Sequence, residues 1–500
     1  LFAALMMLLS TLPGRAEPFS STPRLDQALI ADVTGAALNF MLPRTLDVHS
    51  ATELSLWSLR GLAEIDPRLS VEMTPQVLQL SLSGQLLVRR SVPPKNDTTG
   101  WSGAIAQLSR AAWDTSEAVR RAGTSGVLRA LFNEMLSHLD PYSRYATPVE
   151  AAEERSRRDG RAGLGLDVVA GTTGFFVHDV IASSPASAAG IRPGERLLAI
   201  DGQALVSADL AMVAASMAGP ESSTVSLTLR APGRPPRTVV LRRTMLNPPT
   251  VFANRHGDIL VLRITSFVRD TAEAMAREIS HEMSVGHPPK GLVIDLRGNR
   301  GGLLRQAVAA AETLTVRGRI AVTIGRDPSA SGDYIADGID ITHGLPVVIL
   351  VDGGTASAAE VLAAALADLG RAVVVGSATL GKGLVQTILP LPDGGALLLT
   401  WSRVLAPRGW PLQALGVIPQ VCTSLGDKTL KLSLSELAHG RQALTAGLSR
   451  SRAARVPVSP ETILDIRNSC PASDGHPADL DAAFFLIKTP TAYMTALLRQ

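Results

Sequence analysis

Residues 345–360, LPVVILVDGGTASAAE, run from an apolar strand through two glycines into an alanine-rich helix, which puts Ser357 on the first helical turn. Backbone N–H groups there lack intrahelical partners and the helix end is positive, so an oxyanion forming beside Ser357 would be stabilised. Serine is also a preferred helix cap, and taken alone that is its commoner role at such a position. Twenty-five residues later, SATLGKGLVQ (377–386) follows another apolar strand and sets Lys382 between two glycines. Glycine flanks allow close backbone packing, and a lysine desolvated in apolar surroundings loses proton affinity and can act as a base near neutral pH. Only six of the 48 Lys and Arg residues are lysines, so one in this setting is unusual. No histidine lies within ten residues of Ser357 or Lys382; a triad with distant partners stays open, whereas a Ser/Lys pair needs only what is present. Gly381-Lys382-Gly383 lacks the glycine spacing and the following Ser or Thr of a phosphate-binding loop.

A third segment, GLVIDLRGNRGGLL (291–304), reads as strand, turn and helix start. Paired glycines at the end of a strand can present backbone N–H groups to a carbonyl, the partner an acyl-transfer site needs, although a glycine-rich turn is more often only a turn. The elements that must hold these segments alternate: strand 258–267, helix 271–285, strand 291–297, helix 303–315, strands 319–324 and 346–351, helix 357–369, strand 372–376. That alternation predicts an α/β core over 250–425. Upstream, 160–245 changes rhythm to many glycines and short β-branched runs, with strands expected at 165–169, 175–180, 196–200 and 225–229 and a tight turn at Asp201-Gly202. Residues 24–150 are mostly helical in pattern, with a strand-like run at 85–88, and end in a turn at Asp140-Pro141. The part after 425 has weak periodicity and Ser, Pro and Gly breaks, and no architecture follows for 426–500.

Composition narrows the class. A 46% hydrophobic, 19% charged chain of 500 residues belongs with multidomain folded proteins. The net charge of +3 is scattered, which argues against nucleic-acid binding. Residues 1–16 read as the apolar part of an N-terminally incomplete secretory leader, with small residues Gly14 and Ala16 before the expected cleavage point; membrane association follows only if it stays uncleaved. Cys422 and Cys470 are the only cysteines, and an exported chain could bridge them or keep two thiols. Two cysteines without clustered histidines make no zinc site, and His281 and His287 are wrongly spaced for one helical face.

The strings LVIDLRGNRGGLL, VILVDGGTASAAEVLAAAL and TLGKGLVQ, in this order and spacing, closely resemble the carboxy-terminal-processing, or tail-specific, serine proteases over roughly residues 125–421. The resemblance implies Ser357 as nucleophile, Lys382 as general base, Gln386 as the residue orienting the lysine, and the backbone amides of Gly302 and Ala358 as oxyanion hole, with no metal and no cofactor. It implies a crotonase-like α/β protease core with an inserted, mainly-β PDZ domain and a helical N-terminal region. Residues 184–202 resemble a bacterial PDZ stretch, and Gly163-Leu164-Gly165-Leu166 would hold a peptide's terminal carboxylate on backbone N–H groups while the peptide adds as a strand. The expected activity is hydrolysis of peptide bonds in exported, periplasmic proteins selected by apolar C-terminal tails. The competing expectation is a non-catalytic periplasmic PDZ scaffold on a dead protease fold, against which the intact Ser357, Lys382 and Gln386 argue. The chain departs from the family pattern at Thr355 and Ala359, where serines are usual, and at Gln420, where an acid is expected.

Overall fold

The computed structural model describes residues 25–498 apart from 182–183, 207, 247–248 and 442–445. The expected leader therefore lies outside the described residues. The chain divides into two compact units, one made of the described residues up to Leu42 with Val48–Thr147 and Leu389–Leu397, the other of the remainder.

In the first unit, helices Gln27–Met41, Ala51–Arg60, Thr98–Thr115 and Glu117–Ser137 begin at Asp26, Ser50, Asp97 and Ser116, each of whose side chains accepts a helix N–H. Caps of this kind contribute about 1 kcal/mol each. The helices bury Ile30, Leu54, Trp101 and Phe132. The expectation of a single strand-like run is corrected here: Leu69–Met73, Val77–Leu82 and Gln85–Ser91 form a three-stranded antiparallel sheet. Ser83 and Gly84, with φ 50° and 81°, close the second hairpin as a two-residue loop. The strands are short and mostly half-exposed, so their apolar alternation is diluted by polar residues.

The second unit opens with the helix Pro148–Asp159 and then a β domain. Its sheet runs in the order Arg237–Arg242, Thr224–Arg230, Arg196–Ile200, Gly174–Val180, Leu166–Gly171, with the helix Leu210–Met217 beside it. Val168, Phe175, Leu197 and Leu227 form its core. Arg161–Gly163 pairs antiparallel with Thr244–Leu246, so the two chain ends of the domain leave side by side, as an inserted domain requires.

Beyond it lies a six-stranded sheet in the order Val251–His256, Ile259–Ile264, Gly291–Asp295, Val347–Val351, Ala372–Gly376, Val421–Cys422; the first pair is antiparallel and the rest parallel. Gly291–Asp295, Val347–Val351 and Ala372–Gly376 are buried throughout, which is why they read as unbroken apolar runs. Leu292, Ile294 and Ile349 face a core shared with helices Thr271–Ser284, Leu304–Glu312 and Ala358–Asp368. Val293, Val348 and Val373 face the opposite way, onto Leu430, Leu486 and Tyr493.

The C-terminal extension packs on both sides of the sheet, Leu430, Leu486 and Tyr493 on that second face and Leu448 and Ile466 in the first core. Among the described residues it forms helices Asp427–Ala438, Ala446–Ala453, Pro460–Asn468, Pro477–Lys488 and Pro490–Ala496. Three of these start with Pro after Ser459, His476 or Thr489, so residues that read as breaks are helix starts. Cys422 and Cys470 are joined, with Cα atoms 5.8 Å apart. A second sheet, ordered Gly332–Asp337, Arg317–Gly325, Ala396–Leu405, Leu384–Pro390, carries the strand that follows Lys382.

Candidate active site

The loop after Val347–Val351 is fixed by side chains before it delivers Ser357. Asp352 accepts from the N–H groups of Gly298 and Gly354, both at 2.9 Å, and Thr355 Oγ1 donates to Leu296 O at 2.9 Å. Thr355 thus ties the serine loop to the strand end at Leu296, a task its hydroxyl performs as a serine's would. Ser357 has φ 56° and ψ −119°. The cap Ser50, by contrast, has the ordinary extended values of −95° and 159°. A non-glycine residue held at positive φ costs of the order of 1–3 kcal/mol and needs external support. Part of that support is Glu360, whose Oε2 accepts the Ser357 N–H at 2.7 Å.

The paired-glycine turn packs on this loop. Asn299, fully buried, donates to Ile264 O at 2.8 Å and accepts from Gly301 N–H at 2.8 Å, while its carbonyl accepts from Ala356 N–H at 2.9 Å. At Gly302, φ is 143° and a Cβ would lie 2.1 Å from Phe267 O; at Gly301 it would lie 2.8 Å from Ser357 Cβ. Only glycine lets these backbones approach. Ala358 is the first residue of the helix Ala358–Asp368.

Lys382 is held through its backbone. Gly381 N–H and Lys382 N–H donate to the two Glu360 oxygens at 2.7 and 2.9 Å, Thr379 Oγ1 also donates to Glu360, and Leu380 N–H donates to Thr355 O at 2.9 Å. Gly383 N–H donates to Gln413 Oε1 at 3.0 Å, and a Cβ on Gly383 would lie 2.1 Å from Gln413 N. Glu360 therefore bridges the serine and lysine segments with both oxygens saturated. Burial pushes its proton affinity up, and the hydrogen bonds from Thr379, Gly381, Ser357 and Lys382 oppose that shift. The sequence reading missed Glu360. Its signal was the spacing Ser-x-x-Glu at a helix start, a capping-box pattern.

Ser357, Ala358, Lys382, Gln386, Gly301 and Gly302 line one cleft of about 530 Å³, walled by Val361, Leu384, Ile388 and Leu398. Gln386 Nε2 donates to Thr400 Oγ1 at 3.1 Å. Gly163, Leu164, Gly165 and Leu166 line a different groove, with Ile181, Ala214, Met217 and Leu246. The Leu164 side chain is buried in the β-domain core, so its part in any peptide contact falls to its backbone. Arg157, on the helix Pro148–Asp159, lines both groove and cleft, a placement with no sequence signature. Gln420 accepts from Val374 N–H at 3.0 Å and donates to Ala372 O at 3.3 Å. An ionised carboxylate there could only accept.

Residues 258–423 match the model of peptidase family S41, and residues 176–231 match that of the PDZ domain. A carboxy-terminal-processing protease of Bartonella bacilliformis is 34% identical over 294 residues, covering 58% of this chain and 68% of the relative. The chain belongs to the S41 carboxy-terminal-processing proteases. A carboxyl-terminal-processing protease of Synechocystis is 32% identical, with 57% of this chain and 68% of the relative covered. A solved photosystem II D1 C-terminal processing protease is 28% identical over 73% of this chain and 92% of that one, with a TM-score of 0.37. As a member of this family, the chain is a serine-type peptidase that carries a PDZ domain and acts on polypeptides.

Proposed function

We propose that this S41 peptidase cuts exported proteins with a Ser357/Lys382 dyad and selects them by apolar C-terminal tails through its PDZ domain. The observation that carries the reading is the convergence of Ser357, Lys382, Gly302 and Ala358, from three separate segments, on one cleft. In the first step neutral Lys382 Nζ takes the Ser357 Oγ proton as Oγ bonds the scissile carbonyl carbon. The carbonyl oxygen becomes an oxyanion facing the Gly302 and Ala358 N–H groups. Collapse breaks the C–N bond and the leaving amine takes the proton from the Lys382 ammonium; the neutral Lys382 Nζ then takes a proton from the water that attacks the acyl carbon, and returns it to Ser357 Oγ as the ester bond breaks. Gln386 orients the lysine from the cleft wall. The core is read as crotonase-like over 250–425, the PDZ domain as 160–245, the helical region as 24–150 and the extension as 426–500. Export to the periplasm rests on the leader-like residues 1–16.

Support for apolar tails comes from the groove beside Gly163–Leu166, whose other walls include Ile181, Met217 and Leu246. Incubation with an unstructured protein tests the chemistry: wild type cuts it, and folded Ser357→Ala and Lys382→Ala variants do not. Full activity in both variants would overturn the dyad. Tail selection is tested with peptides ending in a free or an amidated apolar residue; equal affinity for the two would remove the carboxylate-binding role of the loop.

A further inference from the structure

Lys382 stands between two glycines, so its own backbone does little to fix it. Glu360 and Gln413 hold the N–H groups of residues 381–383. The carbonyl at the start of the loop is held by a residue of the C-terminal extension, outside the span that matches the S41 model. Arg467, half-buried in the last turn of the helix Pro460–Asn468, directs Nη1 to Thr379 O at 2.9 Å and to Leu415 O at 3.0 Å, with Ala414 O at 3.5 Å. Thr379 is three residues before Lys382. Ala414 in turn donates its N–H to Gly381 O at 2.9 Å. One guanidinium nitrogen therefore joins the lysine loop to the loop that faces it.

The helix that presents Arg467 is itself anchored. Cys470, three residues on, is bonded to Cys422, whose short strand pairs with Val375–Gly376 at the root of the lysine loop. The chain then passes Ser473, whose carbonyl accepts Gly353 N–H at 2.8 Å and Ser377 Oγ at 2.9 Å, and reaches Asp479, which pairs with Arg297 at 3.1 Å. Residues 467–479 thus touch the segments that carry Ser357, Lys382 and Gly302. Of these contacts, the one made by Arg467 is nearest in sequence to the lysine.

We propose that Arg467 is a positioning residue for catalysis, clamping the 379–383 loop so that Lys382 is presented to Ser357. This rests on the dyad reading above. Loss of the clamp leaves Thr379 O and Leu415 O without this donor and frees a glycine-flanked loop. A displacement near 1 Å at the reacting groups lowers turnover by about a hundredfold.

The test compares full-length wild type, Arg467→Met, Arg467→Lys, Ser357→Ala and Lys382→Ala. It measures kcat and KM on an unstructured substrate, the rate at which a fluorophosphonate labels Ser357, tail-peptide affinity and thermal midpoint. Arg467→Met is expected to lose about ten- to a hundredfold in both kcat and labelling rate, with KM and tail affinity within about twofold. Arg467→Lys, which keeps one donor to Thr379 O, recovers part of the loss. Wild-type kcat and labelling in Arg467→Met overturn the clamp, as does a loss that disappears when rates are expressed per folded molecule. If Arg467→Met does not fold, Arg467→Lys is read the same way; if neither folds, Arg467 is structural and the proposal fails. An active Lys382→Ala refutes the dyad instead, whatever the Arg467 variants do.

Discussion

Replacing Glu360 by glutamine changes no volume and isolates what the buried carboxylate contributes. Four donors converge on it: Thr379 hydroxyl and Gly381 N–H on Oε1, Ser357 N–H and Lys382 N–H on Oε2. An amide offers one acceptor oxygen and turns an NH₂ group toward the other pair. Facing Oε2's partners, that NH₂ would orphan two backbone N–H groups. Facing Oε1's, it orphans only Gly381 N–H, because the Thr379 hydroxyl can rotate to accept, as it already does from Val417 N–H at 2.7 Å. The second orientation is therefore preferred. One buried unsatisfied donor costs about 1–3 kcal/mol, and the bonds that remain lose their charge assistance; the lower cost of burying a neutral amide offsets part of this. The expected loss is about 2–4 kcal/mol of stability, read by urea unfolding. Because the displaced N–H adjoins Lys382, kcat is expected to fall by about tenfold or more with KM little changed. A Glu360→Gln protein with the wild-type urea midpoint and wild-type kcat would refute the bridging role.

Three further outcomes are expected. Gly301→Ala places a Cβ 2.7 Å from Ala356 O and 2.9 Å from Ala358 N at φ 93°, and is expected to lower kcat by about a hundredfold while PDZ tail binding is unchanged; an active variant would show that this turn does not set the serine loop. Cys422→Ser with Cys470→Ser removes a cross-link spanning 48 residues, and loop-closure entropy sets the loss at about 4 kcal/mol, to be read as a urea midpoint matching that of reduced wild type. In the helical unit, bonds from Arg68 and then Ser116 hold the Asp66 carboxyl well below the usual carboxylate range. A depressed folded value means that its stabilisation is present above about pH 4, the unfolded value, and is lost as pH falls below it. Unfolding of wild type at pH 3 and 7 should differ more than that of Asp66→Asn, and equal slopes would exclude Asp66 as a source of the acid sensitivity.

Much of the core was legible in the sequence because parallel strands buried on both faces must be apolar at every position, as Val347–Val351 and Ala372–Gly376 are. The small sheet at 69–91 was not, since strands exposed on one side and interleaved with Arg and Gln lose that signal. The extension gave no pattern for a different reason: Pro460, Pro477 and Pro490 interrupt periodicity in the chain, yet each begins a helix, the first packing Ile466 into the core shared by the parallel sheet and its helices and the other two lying on the far face of that sheet.

At the site the division is sharper. Residue type and local order alone singled out Ser357, Lys382 and the Gly301-Gly302 turn, because a serine at a helix start, a glycine-flanked lysine and a turn of paired glycines are each local patterns. Which of two roles Ser357 takes was not local. A cap and a nucleophile share the same sequence, and Glu53 holds the Ser50 N–H as Glu360 holds that of Ser357; it is the positive φ of 56°, on a loop packed against Asn299 and Gly301, that sets this serine apart from Ser50. Glu360, Gln413 and Arg467 reach the lysine loop across 22, 30 and 88 residues of chain. No spacing rule extends that far, so only tertiary packing could bring them to it.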